Sequence, residues 1–292
     1  MNNDVSFRRK TLDILEKYNF KFKKSLGQNF LTEPTIVRKI IDTAKISQDT
    51  GVIEIGPGIG ALTQEIAKKA GKVVGIEIDQ RLIPILEETL SDFSNVKIIN
   101  ADVLKVSLEE IIAKELQKFK EIKIIANLPY YVTSPIIIKI LKERLKFESI
   151  TIMVQKEVAE RIAAVPGGKD YGSLTLFVEY FAVSKIAFHL PNSVFIPRPK
   201  VDSAILHLEL RDNPPYYIKD EDFLFKLIRA SFMHRRKTLF NNLLNNLINK
   251  NKKAELEDIL NRAHIDPKRR AETLSLKDFI ELSNLLIKIY NF

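Results

Sequence analysis

Four short runs rich in valine and isoleucine recur along the first half of the chain, and each delivers a polar residue within it, at its end or just past it. The runs are GVIEIG (51–56), KVVGIE (72–77), VKIIN (96–100) and IKIIAN (122–127). Their polar residues are Glu54, Glu77, Asp102 and Asn127, which stand 23, 25 and 25 residues apart. That interval suits one strand, one crossover helix and two loops. Nearly continuous apolar runs mark strands buried on both faces, and strands alternating with helices build a parallel sheet. SITIMVQ (149–155) continues the series. AVSKIAFHL (182–190) and VDSAILHLEL (201–210) read as two more strands, with no room for a helix in the connecting PNSVFIPRPK, which predicts an antiparallel edge. The expected fold is therefore α/β and Rossmann-like, with a mostly parallel seven-stranded sheet. Open parallel sheets bind ligands beyond the carboxyl ends of their strands, so the four polar residues are expected to converge on one crevice.

The first strand-to-helix turn is Glu54-Ile-Gly-Pro-Gly-Ile-Gly60. Glycines here let the backbone approach a ligand closely. A dinucleotide fingerprint requires G-x-G-x-x-G. In this chain the third glycine comes one residue early, and Glu54 sits two places before Gly56. S-adenosylmethionine lacks a pyrophosphate and carries a cationic amino group and sulfonium, so acidic flanks suit it better than they suit NAD. Glu77, 21 residues past Gly56, is placed to accept hydrogen bonds from ribose hydroxyls, and Asp102 can accept from an adenine amino group. The expected cofactor contacts include Gly58, and Ile78 and Val103, which adjoin the two carboxylates.

The fourth run leads into Asn127-Leu128-Pro129-Tyr130. The N6 nitrogen of adenine is a poor nucleophile because its lone pair is delocalised into the ring. Two acceptors, the Asn127 side-chain oxygen and the Leu128 carbonyl, can bind its two hydrogens and draw it towards tetrahedral geometry. Pro129 stiffens the loop through its fixed φ, and Tyr130 can stack on the base. Such a site works by positioning and electrostatics, without a general base. The target base must leave its stack to reach it.

Composition narrows the alternatives. The chain of 292 residues has no cysteine, which excludes disulfides, zinc ribbons and a thiolate nucleophile. Its four histidines (His189, His207, His234, His264) are scattered, so no metal site is expected. Lys plus Arg number 46 against 37 acidic residues, a net charge of +9 that favours polyanions. No run of 18 apolar residues occurs and the N-terminus lacks the apolar stretch of a secretory signal, so a cytoplasmic protein with no membrane partner is expected.

The chain resembles the KsgA-type rRNA adenine N6,N6-dimethyltransferase family along almost its whole length. The resemblance begins at SLGQNFL (25–31) and runs through VIEIGPGIGALT (52–63), VVGIEIDQRL (73–82), NADVLK (100–105) and NLPYYVTSPI (127–136). It continues with VQKEVAERI (154–162), YGSLTLFV (171–178), FIPRPKVDSAIL (195–206), FMHRRKTLFNNL (232–243) and RRAETLSLKDFIEL (269–282). It implies a class I S-adenosylmethionine-dependent methyltransferase with a small all-helical C-terminal domain. The family's methyl-donor contacts map onto Asn29, Leu31, Gly56, Glu77, Asp102 and Asn127, with Gln28 bordering the same pocket. It further implies dimethylation of two adjacent adenosines in the loop of the last helix of 16S rRNA, on a late 30S assembly intermediate. The sequence departs from the pattern at Thr32-Glu33-Pro34, where an aspartate is common, and at Phe240, where a basic residue is frequent.

The prolines of DNPPYY and the helical periodicity after it place a boundary between a catalytic domain, 1–211, and a helical rRNA-contacting domain, 218–292. Pro84 falls inside an expected helix and should shift its start. Phosphate contacts are expected from Lys21, Lys23 and Lys24, from Arg198 and Lys200, and from Arg235, Arg236 and Lys237, which are expected to open a helix. The enzyme is expected to be a monomer. Two alternatives stay open: a large-subunit rRNA adenine methyltransferase of the antibiotic-resistance type, and a non-catalytic nucleic-acid-binding factor of assembly or transcription. An NAD-dependent oxidoreductase fits poorly, given the glycine spacing.

Overall fold

The computed structural model describes residues 4–287. Seven strands form one sheet: β1 (Thr50–Ile55), β2 (Lys72–Glu77), β3 (Val96–Asn100), β4 (Glu121–Asn127), β5 (Ser149–Gln155), β6 (Ala182–Leu190) and β7 (Ser203–Leu210). Their spatial order is β3-β2-β1-β4-β5-β7-β6. Strands β1 to β5 pair in parallel, with Val52 beside Val73 on one side and Lys123 on the other. β7 runs antiparallel to β5 from Ser149↔Glu209 to Gln155↔Ser203. The seven expected strands are present, and the antiparallel strand lies between β5 and β6.

Every residue of β1 is buried, the consequence of helices on both faces of a parallel sheet. The helix Pro34–Ala44 shows how sequence dictates this cover. Val37, Ile40, Ile41 and Ala44 recur at helical spacing and pack into a core with Val52, Ile66, Val73 and Ile205. Each such fully buried aliphatic side chain contributes about 1.5–3 kcal/mol. Pro34 sits in the first turn, where no amide hydrogen is needed. Glu33 caps the helix by accepting from Thr35 N at 3.4 Å, so the departure from the family pattern at this place still provides a cap. A second core beneath the N-terminal helix Arg8–Lys17 joins Ile14 and Leu15 to Ile59, Leu82, Ile85 and Leu86.

Pro84 is accommodated as expected. A 3₁₀ turn, Gln80–Leu82, is capped by Asp79, and the α-helix begins only at Ile83, with Pro84 in its first turn.

The chain divides into two compact units, residues 1–159 with 184–210, and residues 160–183 with 211–292. The second unit is helical and resumes at Arg211, close to the expected boundary. It also claims 160–183, which the sequence reading left with the sheet. The reason is aromatic packing: Phe177, Tyr180 and Phe181 on helix Ser173–Phe181 lie 5.0, 5.3 and 5.9 Å from the Phe225 ring on helix Glu221–Ser231. Tyr171 donates its hydroxyl to Leu274 O at 2.9 Å within the same unit.

Gly71 turns the chain into β2 where a Cβ would collide with the Gln48 carbonyl oxygen and the Phe119 ring. Gly71→Ala is expected to destabilise the first unit by roughly 2–3 kcal/mol, read as a lowered melting temperature with β2 losing hydrogen-exchange protection.

Candidate active site

The strand order reverses between β1 and β4, and a cleft opens at their carboxyl ends, where such sheets bind ligands. Glu54 and Gly56 reach it from β1 and its turn, Glu77 and Ile78 from the end of β2, and Asn127 to Tyr130 from β4. Gln28, Asn29 and Leu31 complete it from an N-terminal strap, residues 20–31. A two-residue pairing, Phe30↔Ile196 and Leu31↔Phe195, anchors the strap's end.

The glycine turn has the geometry that its sequence requires. Gly56, Gly58 and Gly60 have φ of 72°, 63° and 94°, values that side chains disfavour. A Cβ on Gly58 would also press to 3.1 Å on the Phe30 ring.

Glu54 is fully buried, at 0% exposure, in the wall of this cleft. Among the described residues, four buried side-chain polar atoms lack a hydrogen-bond partner, and three are Glu54 Oε1, Glu54 Oε2 and Thr63 Oγ1. Burial pushes the Glu54 carboxyl up to about 8; the nearby Thr63 hydroxyl offsets part of this and the Glu77 charge adds to it. A buried unpaired carboxylate is costly, and a cationic ligand group in the cleft would relieve it. Glu77, 4% exposed, is pushed up to about 7 by burial, against hydrogen bonds from Asp79 N at 2.8 Å and Gly58 N at 3.1 Å. Each of its oxygens keeps a second acceptor site, which suits a pair of ribose hydroxyls. Two buried acids and a glycine turn therefore fit S-adenosylmethionine.

Asn127 donates its Nδ2 to Asn29 O at 2.9 Å. This fixes the amide orientation, with one Nδ2 hydrogen engaged by the strap and Oδ1 left as the acceptor. Leu128 N donates to Met153 O at 3.2 Å, locking the loop onto β5. Pro129 O accepts from Val132 N and Thr133 Oγ1 and so starts the helix Thr133–Lys142. The Tyr130 hydroxyl lies 2.7 Å from Ser203 Oγ on β7, which holds the ring at the cleft wall.

Two further expected cofactor residues follow β3. Asp102 and Val103 are absent from the cleft lining. Asp102 sits past the end of β3 in a turn, where Oδ1 accepts from Leu104 N at 3.0 Å and Oδ2 lies 3.8 Å from Lys105 Nζ. Val103 is 7% exposed and packs inward. Asp79 and Arg81 went unrecognised in the sequence. Asp79 is 4% exposed and receives Arg81 Nε at 2.9 Å, Arg81 Nη2 at 2.6 Å and Gln28 Nε2 at 2.7 Å. Burial works to raise its pKa, but the bonds from Arg81 and Gln28 outweigh it and hold the carboxyl below its ordinary range. An aspartate two residues after the ribose-type glutamate and two before an arginine is the available signal.

Lys21, Lys23, Arg198 and Lys200 are exposed on the first unit, and Arg235, Arg236 and Lys237 on the second. The Lys24 side chain lies outside the described residues. Arg235 to Lys237 precede their helix rather than open it, because Thr238 is its cap and Leu239 its first residue. Arg235 is engaged within its unit, bonding Lys169 O and facing Glu272 at 3.7 Å. Among the described residues no group of three or more His, Cys, Asp or Glu could hold a metal ion, and no helix is long and apolar enough to cross a membrane.

The sheet order and its cleft define a Rossmann-like methyltransferase. The family model for ribosomal RNA adenine dimethylase matches residues 19–282, and the chain belongs to that family. It is an rRNA adenine dimethyltransferase. It is 53% identical over 291 residues, 99% of both chains, to the ribosomal RNA small subunit methyltransferase A of Anoxybacillus flavithermus. Its identity to the protein of the same name from Bacillus pumilus is 52% over 289 residues, 99% of both chains. Among solved structures it resembles a dimethyladenosine transferase from Plasmodium falciparum (30% identity, TM-score 0.74, covering 87% of this chain and 95% of that one). It also resembles the 23S rRNA methyltransferase ErmE (26% identity, TM-score 0.66, covering 88% and 99%).

The two raised carboxyls give a pH signature. Their folded values lie above the ordinary 4.5, so their contribution to stability is full below that value and is lost as pH rises through about 7 to about 8. A ligand ammonium group, which S-adenosylhomocysteine shares with the methyl donor, favours the ionised forms. S-adenosylhomocysteine binding is therefore expected to tighten from about pH 6 to about pH 8 and to release protons. Calorimetry in buffers of different ionisation heat checks this; a binding heat independent of buffer would refute it.

Proposed function

We propose that this protein transfers methyl groups from S-adenosylmethionine to N6 of two adjacent adenosines in the 3′-terminal helix loop of small-subunit (16S) rRNA. It acts as a monomer in the cytoplasm, on a late 30S assembly intermediate. The observation that carries this reading is the fixed Asn127 amide: its nitrogen is bound to Asn29 O, so its oxygen is the group offered to the cleft. Full-length similarity to the small subunit methyltransferases A of Anoxybacillus flavithermus and Bacillus pumilus supports the choice of substrate.

The bound donor supplies an electrophilic methyl group on a sulfonium. Glu54 receives its cationic part, Glu77 its ribose, and the glycine turn lets the backbone approach it. Asp102, in the turn after β3, offers an acceptor for the adenine amino group, with Val103 beside it. Asn127 Oδ1 and the Leu128 carbonyl accept the two N6 hydrogens of an extruded adenine, holding its nitrogen in line with the methyl group. Tyr130 offers its ring face to the base, and the Ser203 contact keeps that ring from swinging away. The methylated nitrogen is acidic and loses its proton to water, so the site has no need of a general base. Lys21, Lys23, Lys24, Arg198 and Lys200, with Arg236 and Lys237 of the helical unit, neutralise phosphates.

Asn127→Ala is expected to lower turnover by about 100-fold or more, with rRNA binding changed less than about threefold. Methylation of 30S assembly intermediates with labelled donor measures the first, and filter binding the second. Full turnover in the variant would remove the role of Asn127. Transfer to large-subunit rRNA in preference to 16S rRNA would overturn the assigned substrate.

A further inference from the structure

The strap that completes the cleft is held by a closed circuit of contacts, and the circuit passes through two carboxylates, Glu77 and Asp79. Asp79 N donates to Glu77 Oε1 at 2.8 Å. The Asp79 side chain, 3% exposed, then binds Gln28 Nε2 at 2.7 Å and the fork of Arg81 at 2.9 and 2.6 Å. Gln28 Oε1 accepts from Lys23 N at 3.2 Å. Arg81 Nη1 donates to Lys21 O at 2.8 Å, and the guanidinium lies 4.8 Å from the centre of the Phe20 ring. Phe20, Phe22 and Phe30 pack against one another at 5.6–5.9 Å. Phe30 covers Gly58, and Gly58 N returns the circuit to Glu77 Oε2 at 3.1 Å.

We propose that Asp79 and Arg81 are positioning residues for the methyl-donor site, joining the ribose-binding Glu77 to the strap that carries Gln28 and Asn29. This inference rests on the reading of the cleft as a donor site. The pair touches no reacting atom. It acts by fixing two walls of the cleft relative to each other, so that Glu77 and the strap meet the donor already aligned. Supporting shells of this kind commonly cost 10–100-fold in affinity when removed. An ion pair partly open to solvent is a weak source of stability, so the larger effect falls on the site. Arg81 performs three tasks at once: it forks onto Asp79, donates to Lys21 O and stacks on Phe20. A lysine can perform one of them, since it lacks the planar fork. Asp79→Asn keeps the shape and an acceptor for Arg81 while removing the charge and one of the two oxygens.

The test uses the full chain, with S-adenosylhomocysteine in calorimetry and S-adenosylmethionine in steady-state methylation. Arg81→Leu is expected to weaken S-adenosylhomocysteine binding by about tenfold, or about 1.4 kcal/mol. The KM for S-adenosylmethionine should rise in parallel while kcat at saturating donor stays within about threefold. Arg81→Lys is expected to recover only part of the affinity, and Asp79→Asn to match Arg81→Leu within about threefold. Hydrogen exchange should quicken in residues 20–31 and remain unchanged in helix Thr133–Lys142. Unchanged donor affinity in the variants, or a fall in kcat at unchanged KM, overturns the proposal. So does full recovery by Arg81→Lys. If Arg81→Leu fails to fold, Arg81→Lys and Asp79→Asn decide by the same affinities. A wild-type chain that does not bind S-adenosylhomocysteine refutes the donor reading itself, an outcome distinct from wild-type binding that the variants leave unaltered.

Discussion

Parallel pairing of β1 with β2 on one side and β4 on the other is the constraint on which the rest depends. Three strands in register must end at the same level, and residues at their ends must face the same space. Their chain reversals occur on opposite sides, so no connection crosses the gap between β1 and β4. The interior of such a sheet is dry and apolar, and that dryness gives the acids at its rim their character. Glu54 and Glu77 are raised chiefly because water has been taken from them. In an exposed setting the same residues would be ordinary surface charges with no preference among cations.

The second requirement is a lid of correct chemistry. The strap brings Asn29 O to Asn127 and Gln28 to Asp79 across nearly 100 and about 50 residues of sequence. Neither partner is informative alone. Together they show that the amide of the target pocket and the carboxylates of the cofactor pocket are oriented by one short segment. Family membership, based on 264 matched positions from 19 to 282, covers this segment and both strand ends that it meets.

Much of this was legible in the sequence, for identifiable reasons. Strands β1, β2, β4 and β5 were readable because burial on both faces leaves a nearly unbroken run of Val and Ile, and the edge strand β3 and the polar ends followed from the spacing. The glycine turn was readable because positive φ restricts the choice of residue. Pro84 was readable as a helix start for the same kind of reason. The attachment of residues 160–183 to the helical unit was not, since SLTLFVEYF is apolar enough to pack against either a sheet or other helices and only the Phe225 partnership decides. The spacing locates Asp102 just past a strand end but does not say which way the following turn aims its carboxylate, which accepts from Leu104 N. The Asp79–Arg81 spacing is visible in the sequence, but its partner atoms on the strap, a glutamine amide and a backbone carbonyl, carry no charge that would reveal the link.

The bond from Asn127 to the strap also bears on which purines can be accepted. Under the proposed role, the amide nitrogen is held by Asn29 O, so the group turned towards the base is the carboxamide oxygen with its lone pairs. A base with an amino substituent at its six-position meets complementary charge there. Guanine or hypoxanthine would bring a carbonyl oxygen against oxygen and leave it desolvated without a donor. Discrimination against the oxo purines is thus built into the direction of one carboxamide, and Asn29 sets that direction through its main chain.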